Sequence, residues 1–142
     1  MRRATVYLRK KKFLVHASSK TTEGVWILWE PCVLVPEASD DRELGLAIRT
    51  ALDESRVDVA HPQNWNSLLG PLLVLADVKS WTTFSKSAAC VEVEEVADRV
   101  CVIPTRNLGS DEGFQADTSI QTVIERSSPE DLGSAVRRSL RR

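Results

Sequence analysis

Two stretches decide the fold of this chain: SDDRELGLAIRTAL at residues 39–52 and SSPEDLGSAVRRSL at residues 127–140. Six of the fourteen aligned positions are identical, and apolar or small residues recur every three or four positions in both stretches. That spacing places the apolar side chains on one helical face, so we predict helices over 40–54 and 128–140. Asp40 and Ser128 are the expected N-caps, because an acid follows each of them three residues later.

Gly45 and Gly133 occupy the same place in the two stretches, inside the first turn of each predicted helix. A glycine at such a position costs about 1 kcal/mol relative to alanine. Because this unfavourable residue recurs, we expect each glycine to let its helix pack closely against sheet backbone.

Strand patterns precede both predicted helices, with a polar loop that contains a glycine before the third strand of each half. Gly24 and Gly113 lie in these loops, where glycine permits a turn that other residues disfavour. Alternating and β-branched segments predict strands over 4–8, 12–17 and 25–30, the last running on to 32–35, and over 90–96, 100–104 and 118–124.

The segment between the two halves predicts a helical insertion over about residues 62–88. It contains two or three short helices, which are broken at Gly70-Pro71 and capped again at Ser80. No low-complexity linker separates the halves. We therefore predict a single α+β domain over residues 1–142, with a mostly antiparallel sheet, flanking helices, and pseudo-repeats at about 4–54 and 90–141.

Charge and cysteine content exclude several classes of protein. The net charge is −1, but residues 1–20 carry seven Lys and Arg and no acid, so the remaining residues sum to −8. The basic residues 9–12 interrupt any signal-peptide apolar region, and the longest apolar run is too short to span a bilayer. Three cysteines without a CxxC spacing fit no disulfide framework, and a reducing cytoplasm is the expected location.

The chain lacks the sequence patterns of common catalytic sites. There is no phosphate-binding or dinucleotide glycine motif, no HExxH and no GxSxG. His16 and His61 have no cysteine at metal-ligand spacing, so we expect no cofactor, no metal and no small-molecule substrate. A hydrolase that pairs Cys90 or Cys101 with a histidine stays open, since such partners need only meet in space.

Several motifs together resemble the CdiI-type immunity proteins of bacterial contact-dependent growth inhibition (CDI) systems. They are SKTTEGVW (19–26), HPQNW (61–65), PLLVLADVKSW (71–81), PTRNLGSDEGF (104–114) and the closing SSPEDLGSAVRRSL. The resemblance covers roughly residues 5–140. It implies a cytoplasmic protein without enzymatic activity that binds the C-terminal toxin domain of a cognate CdiA protein, often a nuclease, and blocks it.

If the chain binds such a toxin, acidic and aromatic side chains are the candidate contacts. Many nuclease toxins present cationic clefts, and an acidic partner associates with them quickly because its charge steers the encounter. An exposed tryptophan is a favoured interface anchor, and a loop arginine such as Arg106 suits a carboxylate or phosphate, or else pairs with Asp111 or Glu112. The predicted toxin-binding residues are Glu92, Glu94 and Glu95 on an outward strand face, Asp40 and Asp41 at the first helix, Trp65, Trp81 and Arg106.

The main alternative is a nucleic-acid-binding module that uses the basic ends of the chain. If the N-terminal hairpin and the C-terminal helix meet, they form one positive face whose binding falls steeply with salt. The residues concerned are Arg2, Arg3, Lys10, Lys11, Lys12, Arg137, Arg138, Arg141 and Arg142.

Overall fold

The computed structural model describes residues 1–125 and 128–141. Over these residues the chain forms seven strands and four α-helices, with 3₁₀ turns at Trp65–Ser67 and Thr118–Ile120. The strands are β1 (Arg2–Arg9), β2 (Lys12–Lys20), β3 (Trp26–Pro36), β4 (Ala89–Val96), β5 (Arg99–Asn107), β6 (Phe114–Ala116) and β7 (Thr122–Glu125), and the helices are α1 (Asp41–Glu54), α2 (Gly70–Leu75), α3 (Trp81–Lys86) and α4 (Pro129–Leu140).

The sheet is antiparallel and places the two halves of the chain side by side. Its strand order is β3-β2-β1-β4-β5-β6, with β7 also paired to β5. All strand pairs between the described elements are antiparallel, and β1 and β4 pair at the centre. The predicted α+β class is therefore confirmed.

The two predicted helices and their caps are also confirmed. The carboxylate of Asp40 accepts a hydrogen bond from the backbone N–H of Glu43 at 2.8 Å. The hydroxyl of Ser128 accepts one from the N–H of Asp131 at 3.1 Å. Each side chain satisfies one of the N–H groups that a helix leaves unpaired at its start.

Gly45 and Gly133 allow α1 and α4 to approach each other closely. The prediction that they allow packing against sheet backbone is therefore wrong. A Cβ added at Gly45 would lie 1.7 Å from the carbonyl oxygen of Pro129, and one added at Gly133 would lie 2.0 Å from that of Asp41. The contact is reciprocal, because each helix approaches the first turn of the other through its own glycine. Helix periodicity shows which residues share a face, but it does not show what covers that face.

Helices α1 and α4 cover one face of the sheet and form the main core with it. The sheet contributes small and β-branched side chains, which let the helices approach the strands closely. The buried members include Ala4, Val6, Val15, Val91 and Val93 from the strands and Leu44, Ile48, Leu52, Leu132 and Val136 from the helices.

The insertion covers part of the opposite face, as two short helices and a 3₁₀ turn. Ser80 caps α3 as predicted, accepting the N–H of Thr83 at 3.2 Å. Leu72 and Phe84 are fully buried, and the Phe84 ring meets Tyr7 edge to face at 5.0 Å. The second core cluster therefore forms between the insertion and the strands near Tyr7.

The third strand of the second half differs from the prediction. Residues 118–120 form a 3₁₀ turn, the strand covers only Thr122–Glu125, and a short strand, Phe114–Ala116, lies ahead of it. The side chain of Asp117 accepts the backbone N–H of Ser119 at 3.1 Å. Such local bonds from aspartate compete with strand pairing, which explains why the apolar pattern there was misleading.

Candidate functional site

The second face of the sheet is the one opposite α1 and α4. Strand register divides the side chains on this face into three rows. The inner row, which contains Leu14, Tyr7 and Cys90, lies under the insertion. The middle row is His16, Thr5, Glu92 and Ile103. The outer row is Ser18, Arg3, Glu94, Cys101 and Val123.

The outer row is covered at its Ser18 end and open at its Cys101 and Val123 end. On β3 the row continues to Leu28, the register partner of Ser18, which packs against the second core cluster, and Ser18 itself is buried. Val123 is 46% exposed and Cys101 is half-buried. A cleft of about 640 Å³ adjoins the row, lined by Val96, Ala97, Asp98, Arg99, Cys101 and Glu125.

A charged cluster lies where the outer and middle rows meet. The Arg3 Nε lies 3.2 Å from Glu92 Oε2 and 3.8 Å from Glu94 Oε1. The Thr5 hydroxyl donates to Glu92 Oε2 at 2.8 Å, and the Arg3 guanidinium lies 5.5 Å from the ring centroid of Trp26. One guanidinium thus serves two carboxylates and also contacts an aromatic face.

Burial raises the pKa of the Glu92 carboxyl, while the charge of Arg3 and the hydrogen bond from Thr5 oppose that rise. Arg3 and Thr5 bind the Oε2 atom of this partly buried carboxylate, and the Cys90 thiol lies 3.9 Å from its Oε1 atom. Cys90 lies beside it, and burial raises the pKa of that thiol well above its usual range.

The three glutamates do not share one outward face, so that part of the prediction is wrong. Glu92 and Glu94 project to the second face, with side chains 17% and 25% exposed. Glu95 has the opposite parity and forms a two-pronged ion pair with Arg49 of α1, with N–O distances of 2.6 and 2.7 Å. Adjacent residues of a strand point to opposite faces, and both faces of β4 are partly covered here.

The acids at the start of α1 are engaged in holding the helix. Asp40 is the N-cap, and Asp41 lies 2.7 Å from the Nε of Arg137 on α4. Arg137 also donates to the carbonyl oxygens of Glu37 and Ser39, and its guanidinium lies 5.0 Å from the Phe13 ring centroid.

The two candidate tryptophans have different surroundings. Trp65 is 48% exposed and meets the ring of His61 edge to face at 5.1 Å. His61 is held in turn by Thr21, whose hydroxyl lies 3.0 Å from Nδ1. Trp81 stacks on Phe84 at 5.5 Å and belongs to the second core cluster. Of the two, Trp65 presents more of an uncovered ring.

Arg106 is exposed on β5, opposite Gln115 of β6. Within the described chain it forms no ion pair with Asp111 or Glu112, so the expected pairing is not seen. It borders a second cleft of about 280 Å³, together with Thr105, Asp117, Ile120 and Ser139.

The basic residues of the nucleic-acid alternative are divided between structural and exposed roles. Arg2 pairs with Asp53 at 3.2 Å, Arg3 with Glu92, and Arg137 with Asp41. The contact of Arg137 with Phe13 does bring α4 to the N-terminal hairpin. Exposed charge at the hairpin turn and the end of α4 comes from Lys10, Lys11, Lys12, Arg138 and Arg141, and Arg142 lies outside the described residues.

His16 and Cys32 are at least partly shielded from water, and burial shifts the pKa of each side chain away from its usual value. His16 is buried, its Nδ1 lies 2.7 Å from the Ala17 carbonyl oxygen, and burial lowers its pKa from 6.5 to about 4. Cys32 is half-buried, and burial raises its pKa to about 11. Over residues 1–125 and 128–141, no three His, Cys, Asp or Glu side chains cluster as metal ligands would, and no helix is long and apolar enough to cross a membrane.

Sequence reasoning missed Trp26 as a neighbour of Arg3. Trp29, three residues further along β3, packs against the main core instead. The missing information was which strands pair: β2 joins β1 to β3 and so brings Trp26 near Arg3, and β4 brings Glu94 beside Arg3. Alternation alone places Arg3 and Thr5 on one face without saying which acids lie opposite.

Comparison with known proteins gives two kinds of match. The model of a family described as CDI immunity protein, CdiI, matches residues 2–142. A protein of unknown function from Neisseria meningitidis shares the fold, with a TM-score of 0.82, 17% identity, and coverage of 99% of this chain and 93% of that chain. So does a chain of a CdiA-CT/CdiI toxin and immunity complex from Yersinia pseudotuberculosis, with a TM-score of 0.81, 16% identity, and coverage of 99% and 95%. No curated protein matches the chain.

Proposed function

This chain belongs to the CDI immunity protein family, and from that premise we propose that it binds and neutralises the C-terminal toxin domain of a cognate CdiA protein. The match over residues 2–142 is the observation that carries the proposal. The fold shared with a chain of a toxin and immunity complex supports it. The toxin is a nuclease in this proposal, and the encounter takes place in the cytoplasm.

Neutralisation proceeds by stoichiometric binding rather than by catalysis. The surroundings of the reactive side chains support this mechanism. A thiol acts as a nucleophile in its thiolate form, and burial raises the pKa of both Cys90 and Cys32. His16 is buried against the Ala17 carbonyl oxygen, where it has little access to a substrate.

The contact surface in this proposal combines an aromatic anchor with acidic side chains. Trp65 is the anchor, because its ring is about half exposed and His61 holds it from one edge. Glu94, supported by Glu92, meets cationic groups of the toxin, and Arg106 adds a donor at another edge of the sheet. Glu95, Asp40, Asp41 and Trp81 are secondary candidates, since each already has a structural partner.

The function is tested by expressing the toxin domain encoded beside this gene together with the chain. Cells are expected to survive with the wild-type chain and to die without it. If the wild-type chain neither binds the toxin domain nor protects the cells, the proposed function is wrong. Reversing the charge of Glu92, Glu94 and Glu95 together is a poor test, because it would leave Arg3 and Arg49 facing like charges.

Trp65→Ala tests the anchor separately. Truncating an interface hot spot weakens binding by at least about 2 kcal/mol, roughly thirtyfold. Leu46→Ala is the matched control, since Leu46 is an apolar side chain of α1 with similar exposure, 44% against 48%. If both variants bind the toxin domain equally well, Trp65 is not the anchor, although the function still stands.

The nucleic-acid alternative stays a prediction with its own test. The exposed lysines at the β1–β2 turn are the feature that favours it. Binding to RNA or DNA with micromolar affinity at physiological salt, falling steeply as salt rises, would support it.

A further inference from the structure

The outer and middle rows of the second sheet face carry unequal numbers of opposite charges. Glu92 and Glu94 supply two carboxylates, whereas Arg3 supplies one guanidinium. The other members of these rows that the register aligns, among them Ser18, Thr5, Cys101, Ile103 and Val123, carry no charge. His16 is neutral at pH 7, because its pKa is about 4. The two rows therefore carry a net charge of about −1 on a partly buried surface.

Such an excess charge is unfavourable where it is shielded from water. A partly buried carboxylate needs hydrogen bonds or a cation to offset its lost hydration. Glu92 has Arg3 and Thr5, at 3.2 and 2.8 Å. Within residues 1–125 and 128–141, Glu94 has only the more distant Nε of the same arginine, at 3.8 Å, and it lies toward the open side of the row.

We propose that the outer row is the surface on which the toxin domain docks, and that a lysine or arginine side chain of the toxin lies against Glu94. This inference rests on the proposed function and specifies the chemistry of its partner. The uncharged flank of the row, Cys101 and Val123, then receives the apolar stem of the same side chain, because lysine and arginine bury their stems along apolar surface.

The position of the cluster favours a cation over other occupants. Phosphate groups of a nucleic acid would meet two carboxylates there, which repel them. Asp40 and Asp41 at the start of α1 are weaker candidates for binding a toxin cation, because Asp40 caps the helix and Asp41 pairs with Arg137.

Val123 provides a test that separates charge from shape. It is 46% exposed on β7 and aligns with Cys101 and Glu94 in the row. Val123→Lys and Val123→Glu are of similar bulk, and both residues are disfavoured in strands. The purified C-terminal toxin domain encoded beside this gene is titrated with each folded variant, whose fold is checked by circular dichroism and thermal unfolding.

Val123→Lys is expected to weaken toxin binding about tenfold or more, because it places a like charge beside the entering cation. Val123→Glu should bind at least as tightly as the wild-type chain, and Glu94→Gln should weaken binding about tenfold. The same Lys and Glu substitutions at Val74, which is 81% exposed on α2, are the control and should leave the affinity within about threefold of the wild type.

The outcomes distinguish this inference from the function on which it rests. If the wild-type chain does not bind the toxin domain, both are wrong. If it binds and both Val123 variants weaken binding equally, the row contacts a surface that is not cationic, and the proposal fails. If it binds and neither Val123 variant nor Glu94→Gln changes the affinity, the outer row lies outside the interface, and the proposal fails while the function stands.

Discussion

Replacing Gly45 or Gly133 by alanine should destabilise the chain, although the same change usually stabilises a helix. The added Cβ would lie 1.7 Å from the Pro129 carbonyl oxygen in the first case and 2.0 Å from the Asp41 carbonyl oxygen in the second. Ordinary contact begins at 3.4 Å, so at Gly45 the backbones must separate by about 1.7 Å. A backbone carbonyl cannot rotate away as the end of a flexible side chain can.

The expected size of the effect follows from two opposing contributions. Alanine gains about 1 kcal/mol over glycine from helix propensity. Overpacking a close contact costs about 1–3 kcal/mol, occasionally more, and moving the helices apart also loosens Leu44 and Leu132, which lie in the main core. A gap of about 0.5–1 Å between two packed atoms already removes about a quarter to a half of their dispersion attraction. A backbone clash belongs at the upper end of that range, so we expect a net loss of about 2 kcal/mol for each variant.

Urea unfolding followed by circular dichroism measures this loss. Gly70→Ala is the control, because no atom lies within 4 Å of the position that its Cβ would occupy, and its stability should be unchanged or slightly higher. The double variant should lose less than the sum of the single losses, since the first substitution already separates the helices. If Gly45→Ala and Gly133→Ala are as stable as Gly70→Ala, the close helix contact is not what these glycines serve.

Three other changes have directions that follow from the structure. The pKa of His16 is lowered from 6.5 to about 4 by burial, so the native chain binds fewer protons than the unfolded chain between these values. Acidification through that window should therefore remove about 3 kcal/mol of folding free energy, at about 1.4 kcal/mol per pH unit. In urea unfolding at several pH values, the unfolding free energy of His16→Gln should lack this dependence on pH. The raised pKa of Glu92 contributes equally to the wild type and to the variant. Equal slopes of unfolding free energy against pH for the two proteins would therefore contradict the prediction. Arg137→Gln should cost about 2 kcal/mol, because it removes an ion pair and two carbonyl contacts from a side chain that is only 12% exposed. Arg138→Gln, on the exposed side of the same helix, should stay within about 0.5 kcal/mol of the wild type, and a similar loss for both would refute the assignment. Finally, Cys90 should resist alkylation until the chain unfolds, since it is 4% exposed and burial raises its pKa; peptide mass spectrometry should show Cys101 labelled first.

The elements of the fold were predictable because their signals are local. The cap residues Asp40 and Ser128, the helical spacing that follows them, and the cap at Ser80 each act within a few residues of sequence. The helices and most strands therefore lie where the sequence predicts them. The exception is 118–124, where the side chain of Asp117 favours a 3₁₀ turn over a strand. The duplication of the two halves stays a prediction, and the reciprocal glycine contacts of α1 and α4 are what the structure adds in its favour.

The surroundings of the candidate site depended on contacts that no local pattern contains. A strand pattern of period two tells which side chains share a face, but not which neighbour covers that face. Pairing β1 with β4 joins residues more than 80 positions apart, and it places Glu92 beside Arg3 while Glu95 turns to Arg49 on the other face. The sequence by itself determined that these acids alternate along one strand. Only the tertiary structure decided how deeply each acid is buried and which arginine pairs with it, because burial and ion pairing depend on elements that meet through folding and not on neighbours along the chain.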